Sequence, residues 1–470
     1  MILRLDGFRG LWQARGDSDV PEGCAFDAHD VSTRLSALAA APGFEAFLPP
    51  IRGDDGAYRP IGTLARLFRR EKGDEIFVAC TLDGVFTCDG PDGGWICRLS
   101  GPLFCDRWDC VAYETGGVDV LILTNAQDGM IALYGDDLRV ERKQTPARFA
   151  VLGRHAERIF GAGVDGEPDS LYYSRPYDPF DWSADEQNPE MGGGVIRQPS
   201  WDGDRFVALQ PLGAYLLALK TRSIYQLRGA DPSSFVITPE YGADAPDAPD
   251  TVAVDGAAMF YLSGGEIAIY DGVCARLLAK DALCETLRGA SFHNACAVQH
   301  GHVYYLALAL DGSSHNDAVI EYDILRETFM LRRGVCVRAF LEGADGVYFT
   351  SSLDPCRVYR YGAGYGRDGL PASFAWTTGW LGGDSQRKRK DGFVVRFFAE
   401  GADGLCLRLA VQTERGRLER AVTLRPEGCA YRLRFPLRGV RFRLCLYGED
   451  NRPWRIPGGL EVHTDDENLG

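Results

Sequence analysis

A phrase made of an apolar run, a tight turn and a second apolar run ending in Tyr recurs along most of the chain. It restricts the fold more than any single residue does. Four copies are clean. They begin at Ala214 to Lys220 with Ser223 to Leu227, Met259 to Leu262 with Glu266 to Asp271, Val303 to Ala309 with Val319 to Asp323, and Val347 to Thr350 with Arg357 to Tyr361. Looser copies start at Ile76, Val118 and Arg158. The starting positions 76, 118, 158, 215, 259, 303 and 347 lie 42, 40, 57, 44, 44 and 44 residues apart. Four-stranded propeller blades repeat every ~40 to 50 residues. Each half-phrase is short, rich in Val, Ile, Tyr and Phe, and broken by Gly, Asp or Ser, which suits strands buried on both faces. Helical periodicity is nearly absent. A single blade cannot bury its own faces, so the repeats must stack radially around an axis. The expectation is an all-β chain with a β-propeller of about seven blades; an array of antiparallel sandwiches is the alternative that also spaces short strands regularly.

The 57-residue interval contains Pro176 to Pro199, with Asp-Pro, Asn-Pro and Gly192-Gly193-Gly194, and reads as a long loop inserted in one blade. Residues 1–55 do not carry the repeat. They are expected to form an extended strap on the outside of a domain or on a neighbouring subunit, with Phe8 and Trp12 as exposed aromatic anchors for an interface. The propeller is expected over 56–365, followed by the glycine-dense stretch Gly362 to Gly369. Residues 371–470 alternate polar and apolar side chains, as in Cys406 to Gln412 and Val440 to Leu446, the mark of a half-buried antiparallel sheet. A small C-terminal β-sandwich is expected there, ending in a frayed acidic tail at Asp465 to Glu467.

Charge divides along the same boundary. From Pro371 onward 17 Lys and Arg face 13 Asp and Glu, a surplus of 4, which leaves −19 for the rest of a chain whose net charge is −15. An acidic propeller cannot wrap nucleic acid over its whole surface, because phosphate binding needs a positive footprint. An acidic lumen through which DNA passes without sticking is compatible with that charge. No run approaches the ~20 apolar residues of a membrane span, and Met1 to Asp6 lacks the regions of a signal peptide, so membrane insertion is not expected. The 14 cysteines include no Cys-x-x-Cys pair, and Cys80, Cys296 and Cys445 sit in apolar runs; buried reduced thiols are expected, not zinc or disulfides.

The chemical motifs are weak. Thr87 to Trp95 resembles a sialidase Asp-box but has Pro91 in place of Gly and occurs once, so it reads as a turn between blade strands. Acidic residues are too many to single out the converging pair that glycoside hydrolysis needs. Asp244, Asp247 and Asp250 read as a solvated loop that could hold calcium. His300 and His302, with His293 nearby, could bind a transition metal but read as an ordinary turn. Gly192 to Gly194 lacks the Lys and Ser/Thr of a phosphate loop. The one basic run, Arg387-Lys388-Arg389-Lys390, reads as a solvated hairpin tip, or as a patch that docks on an acidic neighbour such as the propeller of an adjacent copy. No catalytic, cofactor-binding or metal residues are assigned.

Three stretches resemble one family. The first is the opening, with Pro21-Glu22-Gly23, the extended Ala25 to Val31 in which His29-Asp30 stands where the family has Asn, and Pro42-Gly43-Phe44. The second is Arg158 to Gly163 followed by Leu171 to Trp182, which resembles the family's phrase of a strand ending in Tyr and Ser that leads to an Asp-Pro-x-x-x-Trp turn. The third is Trp376 to Trp380, the basic run, and Arg441 to Gly448. In this order they resemble the propeller-containing virion proteins of tailed bacteriophages that build tail hubs, nozzles and tail-stabilising rings. The resemblance implies a non-enzymatic structural protein without cofactors. It also implies homo-oligomers in a ring, contacts with other tail proteins, passage of DNA without specific binding, and location in the virion tail after assembly in the bacterial cytoplasm. The alternative is a carbohydrate-active propeller, either a glycosidase or a receptor-binding lectin.

Overall fold

Seven four-stranded antiparallel sheets follow one another along the chain. The structure, a computed structural model, describes residues 2–13, 20–53, 55–199, 203–279, 282–382 and 388–468. The sheets span 63–100, 109–143, 151–197, 206–240, 253–277, 291–333 and 337–361, and are blades 1 to 7. The innermost strands of blades 2 and 3, 3 and 4, 5 and 6, 6 and 7, and 7 and 1 touch, which closes the ring. The fold is a seven-bladed propeller.

Every repeated phrase falls on the second and third strands of a blade, for instance Val303–Ala309 with Ala318–Asp323 and Gly346–Ser351 with Val358–Tyr361. These middle strands lie between neighbouring blades and are buried almost throughout. The outermost strands, such as Ile96–Ser100, are largely exposed and carry no comparable apolar signal. The turns obey backbone sterics. Ser263 and Glu266 pair across Gly264 and Gly265, which have φ of 59° and 74°. Such a two-residue turn with positive φ at both centres follows strand twist and favours Gly.

The closing strand comes from the other end of the chain. Phe44–Leu48 is the outermost strand of blade 7, paired with Val358–Tyr361. Phe44 packs edge-on against Phe349 and Tyr359 at 5.3 and 5.5 Å, while Phe47 meets Tyr348 at 4.7 Å and Phe77 of blade 1 at 5.7 Å. Gly43 lies so close to the 362–369 segment that a Cβ there would sit 1.8 Å from the Gly366 carbonyl oxygen.

The rest of the N-terminal segment is not an external strap. Ile2–Leu5 pairs with Leu460–Asn468, Ala25–His29 with Ala372–Thr378, and Leu38–Ala40 with Trp454–Ile456. These strands help to build a seven-stranded and a five-stranded sheet with the C-terminal residues. The buried side chains of both sheets form one core, in which Phe374 meets Trp454 at 4.8 Å and Phe393 meets Phe442 at 4.9 Å. The chain therefore starts in the sandwich, closes the propeller, winds through seven blades and returns to finish the sandwich. Between the two, the Leu11 and Asp30 N–H groups donate to the Phe329 and Leu331 carbonyls, extending blade 6 toward the sandwich.

The acidic tail is likewise ordered by pairing. Leu460–Asn468 continues past Asp465, with Asp466 opposite Lys390 and Glu467 opposite Arg389. Among the described residues no helix is long and apolar enough to cross a membrane.

Candidate functional site: the propeller axis and two exposed faces

In an up-and-down blade, the loops that lead into each innermost strand and the turns between second and third strands lie at one end, here termed the upper face. A cavity of about 580 Å³ opens there on the axis, lined by residues that start the innermost strands of blades 3, 4 and 6 and by the 247–250 loop. The 101–108 loop before blade 2 reaches into it. Arg107 Nη1 lies 3.4 Å from Asp250 Oδ2, and the neighbouring Asp106 accepts a 3.0 Å bond from Arg338 of blade 7. Blades 2 and 5 are not neighbours, so the Arg107–Asp250 pair spans the axial opening. An opening bridged by two side chains is far narrower than a DNA duplex, whose major groove alone is ~12 Å wide. This exposed pair crosses the opening at the upper face.

Just below this bridge Asp109 heads the innermost strand of blade 2 and accepts the N–H groups of Leu152, at 2.6 Å, and Cys110, at 3.0 Å. Burial pushes its carboxyl up to about 6 against those hydrogen bonds, and Asp250 adds to the shift. Asp247 accepts the Gly265 N–H at 2.7 Å. Asp109 thus ties blade 2 to blade 3, Asp247 holds its loop to the blade 5 turn, and Asp250 pairs with Arg107. Asp244, Asp247 and Asp250 do not converge, and among the described residues no group of three His, Cys, Asp or Glu could hold a metal ion.

The remaining motifs resolve into structural roles. His300 and His302 face different neighbours, at 3.4 Å from Glu342 of blade 7 and 2.9 Å from Asp255 of blade 5, so the two imidazoles do not share a site. Residues 89–95 form the turn between two strands of blade 1, as expected. The inserted loop 174–193 lies between the third and fourth strands of blade 3 and is pinned from beneath. Arg158, buried at 1 % exposure, donates to the Ser174 and Gly192 carbonyls at 2.7 Å each and to the Glu190 carbonyl. Trp182 packs on Phe149 at 4.8 Å. Gly192 to Gly194 is thus a packed segment and not a free one; a Cβ on Gly193 would meet the Trp182 backbone at 2.7 Å. Cys80, Cys296 and Cys445 are buried, and all 14 cysteines are free thiols.

The predicted interface residues have different fates. Phe8 is buried and stacks edge-on against Trp376 at 5.1 Å, so it anchors the N-terminal segment to its own sandwich and is not an exposed aromatic. Trp12 is half-buried beside that core and borders a 620 Å³ groove between the N-terminal segment and blades 5 and 6. Arg387 lies outside the described residues. Lys388 begins the long strand Lys388–Gly401, Arg389 is half-buried, and Lys390 is buried with its ammonium donating to the Val440 carbonyl at 2.7 Å. The basic run is the start of a central strand, not a hairpin tip.

The exposed basic surface lies further along the same sheet. On its outer face Arg4, Glu461, Arg396 and Arg432 form one cross-strand row, and Ile2, His463, Val394 and Arg434 the next. Glu461 is shared by Arg4 at 3.3 Å, Arg396 at 3.8 Å and His463. Arg432 and Arg434 form no ion pair among the described residues and line two adjoining grooves of about 700 and 830 Å³. Alternating Arg in Arg432-Leu-Arg434 was the available signal, but strand order alone brings Arg4 and Arg396 beside it.

A buried network joins the propeller to the sandwich. Arg332 makes two 2.9 Å bonds to Glu321 and donates to the Val31 carbonyl at 2.7 Å, while the Tyr361 hydroxyl of blade 7 donates to Glu321 at 2.6 Å. Burial opposes the charge on Glu321, yet the Arg332 guanidinium outweighs it and holds the carboxyl below its ordinary range.

No family model and no curated protein matches the chain. Three solved structures are similar to it in part. BamB from Moraxella catarrhalis is 10% identical, covering 77% of this chain and 99% of that one, with a TM-score of 0.39. The Pan2 WD40 domain of Neurospora crassa is 11% identical, covering 71% and 97%, with a TM-score of 0.42. TmCBM61, solved with β-1,4-galactotriose, is 15% identical, with a TM-score of 0.18; the match covers 21% of this chain and 66% of that one.

Proposed function

We propose that the chain is a non-enzymatic structural component of a tailed-bacteriophage virion, placed at the tail hub, nozzle or tip as a homo-oligomer, where it connects neighbouring tail proteins. The observation that supports this most is the interlocked chain path. One N-terminal segment supplies strands to both sandwich sheets and the closing strand of the propeller. Interlocking of this kind makes propeller and sandwich one mechanical unit, suited to transmitting load between neighbours. The axial mouth, bridged by Arg107 and Asp250, favours a role in which any DNA path runs through an assembly of several copies and not through one propeller.

The test is proteomics on gradient-purified phage particles from a lysate whose phage or prophage carries the gene, after separation of tails from heads. The reading requires the chain in the tail fraction at a fixed ratio to other tail proteins. Its absence from particles, or glycan cleavage by the purified protein at a saturable rate, refutes the reading in favour of the carbohydrate-active alternative.

A further inference from the structure

We propose that the arginine face of the sandwich is a docking surface for the upper face of the propeller in a second copy of the same chain. This rests on the homo-oligomeric reading above and names the two surfaces that would carry it. The first surface is the row of Arg4, Arg396 and Arg432 with Arg434 of the adjacent row, and Arg420 at its border. Ile2 and Phe398 are exposed among these arginines at 59% and 41%. Arg4 and Arg396 share Glu461, whereas Arg432 and Arg434 form no ion pair among the described residues, and the other side of this sheet is already covered by the core.

The second surface has the opposite charge and the same apolar character. Loops 163–169 and 241–252 of the upper face each contain three carboxylates and no Lys or Arg; Asp169 pairs with Lys220 and Asp250 with Arg107, which leaves Asp165, Glu167, Asp244 and Asp247 to set the charge. On the same upper face, over blades 7, 1 and 2, Leu353, Leu82 and Phe104 are exposed at 71%, 53% and 81%. They form one neighbourhood: the Leu103 N–H donates to the Leu82 carbonyl, Arg59 pairs with Asp83, and the Ile61 N–H donates to the Pro355 carbonyl. Exposed apolar side chains clustered within a charged rim are the make-up of a protein interface. The sandwich sits at the flank of blade 6, through the contacts of Leu11 and Asp30 with its outermost strand. Its arginine face and the upper face are different patches, so the contact is head-to-tail. A contact of that kind generates a ring if the rotation closes and a filament if it does not.

The test uses the full chain and measures its mass by sedimentation from low to high salt, for wild type, R432E/R434E and D165K/D244K, with thermal melts to check folding. The expected result is an oligomer at low salt that dissociates as salt rises, because the steering charges are exposed. Each charge-reversed variant alone associates roughly a hundredfold or more weakly, since like charges then face each other. Mixing the two variants restores association, because the sandwich face of each then meets an upper face of opposite charge on the other. An oligomer that survives both substitutions overturns the choice of surfaces but leaves the homo-oligomeric reading standing. A wild type that stays monomeric at every salt concentration overturns the homotypic contact itself, while the virion reading still faces its own test on particles. Loss of DNA binding without any change in mass in R432E/R434E assigns the arginine face to a polyanion and overturns the proposal.

Discussion

Replacing Arg332 with Met tests how the propeller is held to the sandwich. The Arg332 and Glu321 side chains are 4% and 10% exposed, so solvent cannot compensate for the loss of either partner. The substitution removes two charge-assisted bonds to Glu321 and the bond to the Val31 carbonyl, leaving the carboxylate with the Tyr361 hydroxyl and the Arg34 charge. Removing one partner of a buried pair costs ~3–5 kcal/mol, because the remaining charge is uncompensated. Urea unfolding followed by tryptophan fluorescence should show that loss at pH 7. The pH dependence carries the sign. In the wild type the Glu321 carboxyl is held low, so its contribution is present above the unfolded pKa and is lost as pH falls through the folded value. In R332M the unpaired buried carboxyl titrates above its unfolded value, so its charge penalty disappears on acidification. The gap between variant and wild type must therefore narrow as pH falls from 7 toward 5. Adding Glu321→Gln to R332M removes the charge and should recover most of the loss. A cost under ~1 kcal/mol for R332M, or no recovery in the double variant, refutes the reasoning.

Four other outcomes follow from the same geometry. Phe8→Ala should cost ~3–5 kcal/mol in chemical denaturation, because the ring is buried against Trp376; an unchanged midpoint would show that Phe8 is not a core residue. Gly43→Ala should cost ~1–3 kcal/mol by forcing the closing strand away from Gly366, read as a lower melting temperature; a neutral effect removes the close approach as a constraint. Asp109 titrates near 6, above its unfolded value, so its charge lowers stability as pH rises from about 4 through 6. The shift of about two units corresponds to ~3 kcal/mol, and Asp109→Asn should flatten that part of the stability profile. Arg158→Met should leave the 174–193 loop without its three carbonyl clamps and speed limited proteolysis within it, while cleavage elsewhere stays as in the wild type.

The repeat gave away the propeller because its two middle strands are buried on both faces, and burial of that kind forces unbroken runs of Val, Leu, Ile and Tyr. Strands such as Ile96–Ser100 and Val236–Glu240 face water on one side and left no phrase, so each blade was visible only as a hairpin. The inserted loop in blade 3 and the alternating C-terminal strands were legible for the same local reasons. Chain-end pairing was not legible. Phe44–Leu48 looks like any short apolar strand, and its partner lies more than 300 residues away in Val358–Tyr361. The burial of Phe8, the pairing of the basic run with the acidic tail, and the two ion pairs made by Asp106 and Arg107 depend on partners equally remote. Local composition by itself determined which segments are strands and how many blades they make, because strand propensity and burial act over a few residues. The tertiary structure alone decided how the ends interlock, what bridges the axis and which arginines share a face, because those depend on contacts between residues far apart in the chain.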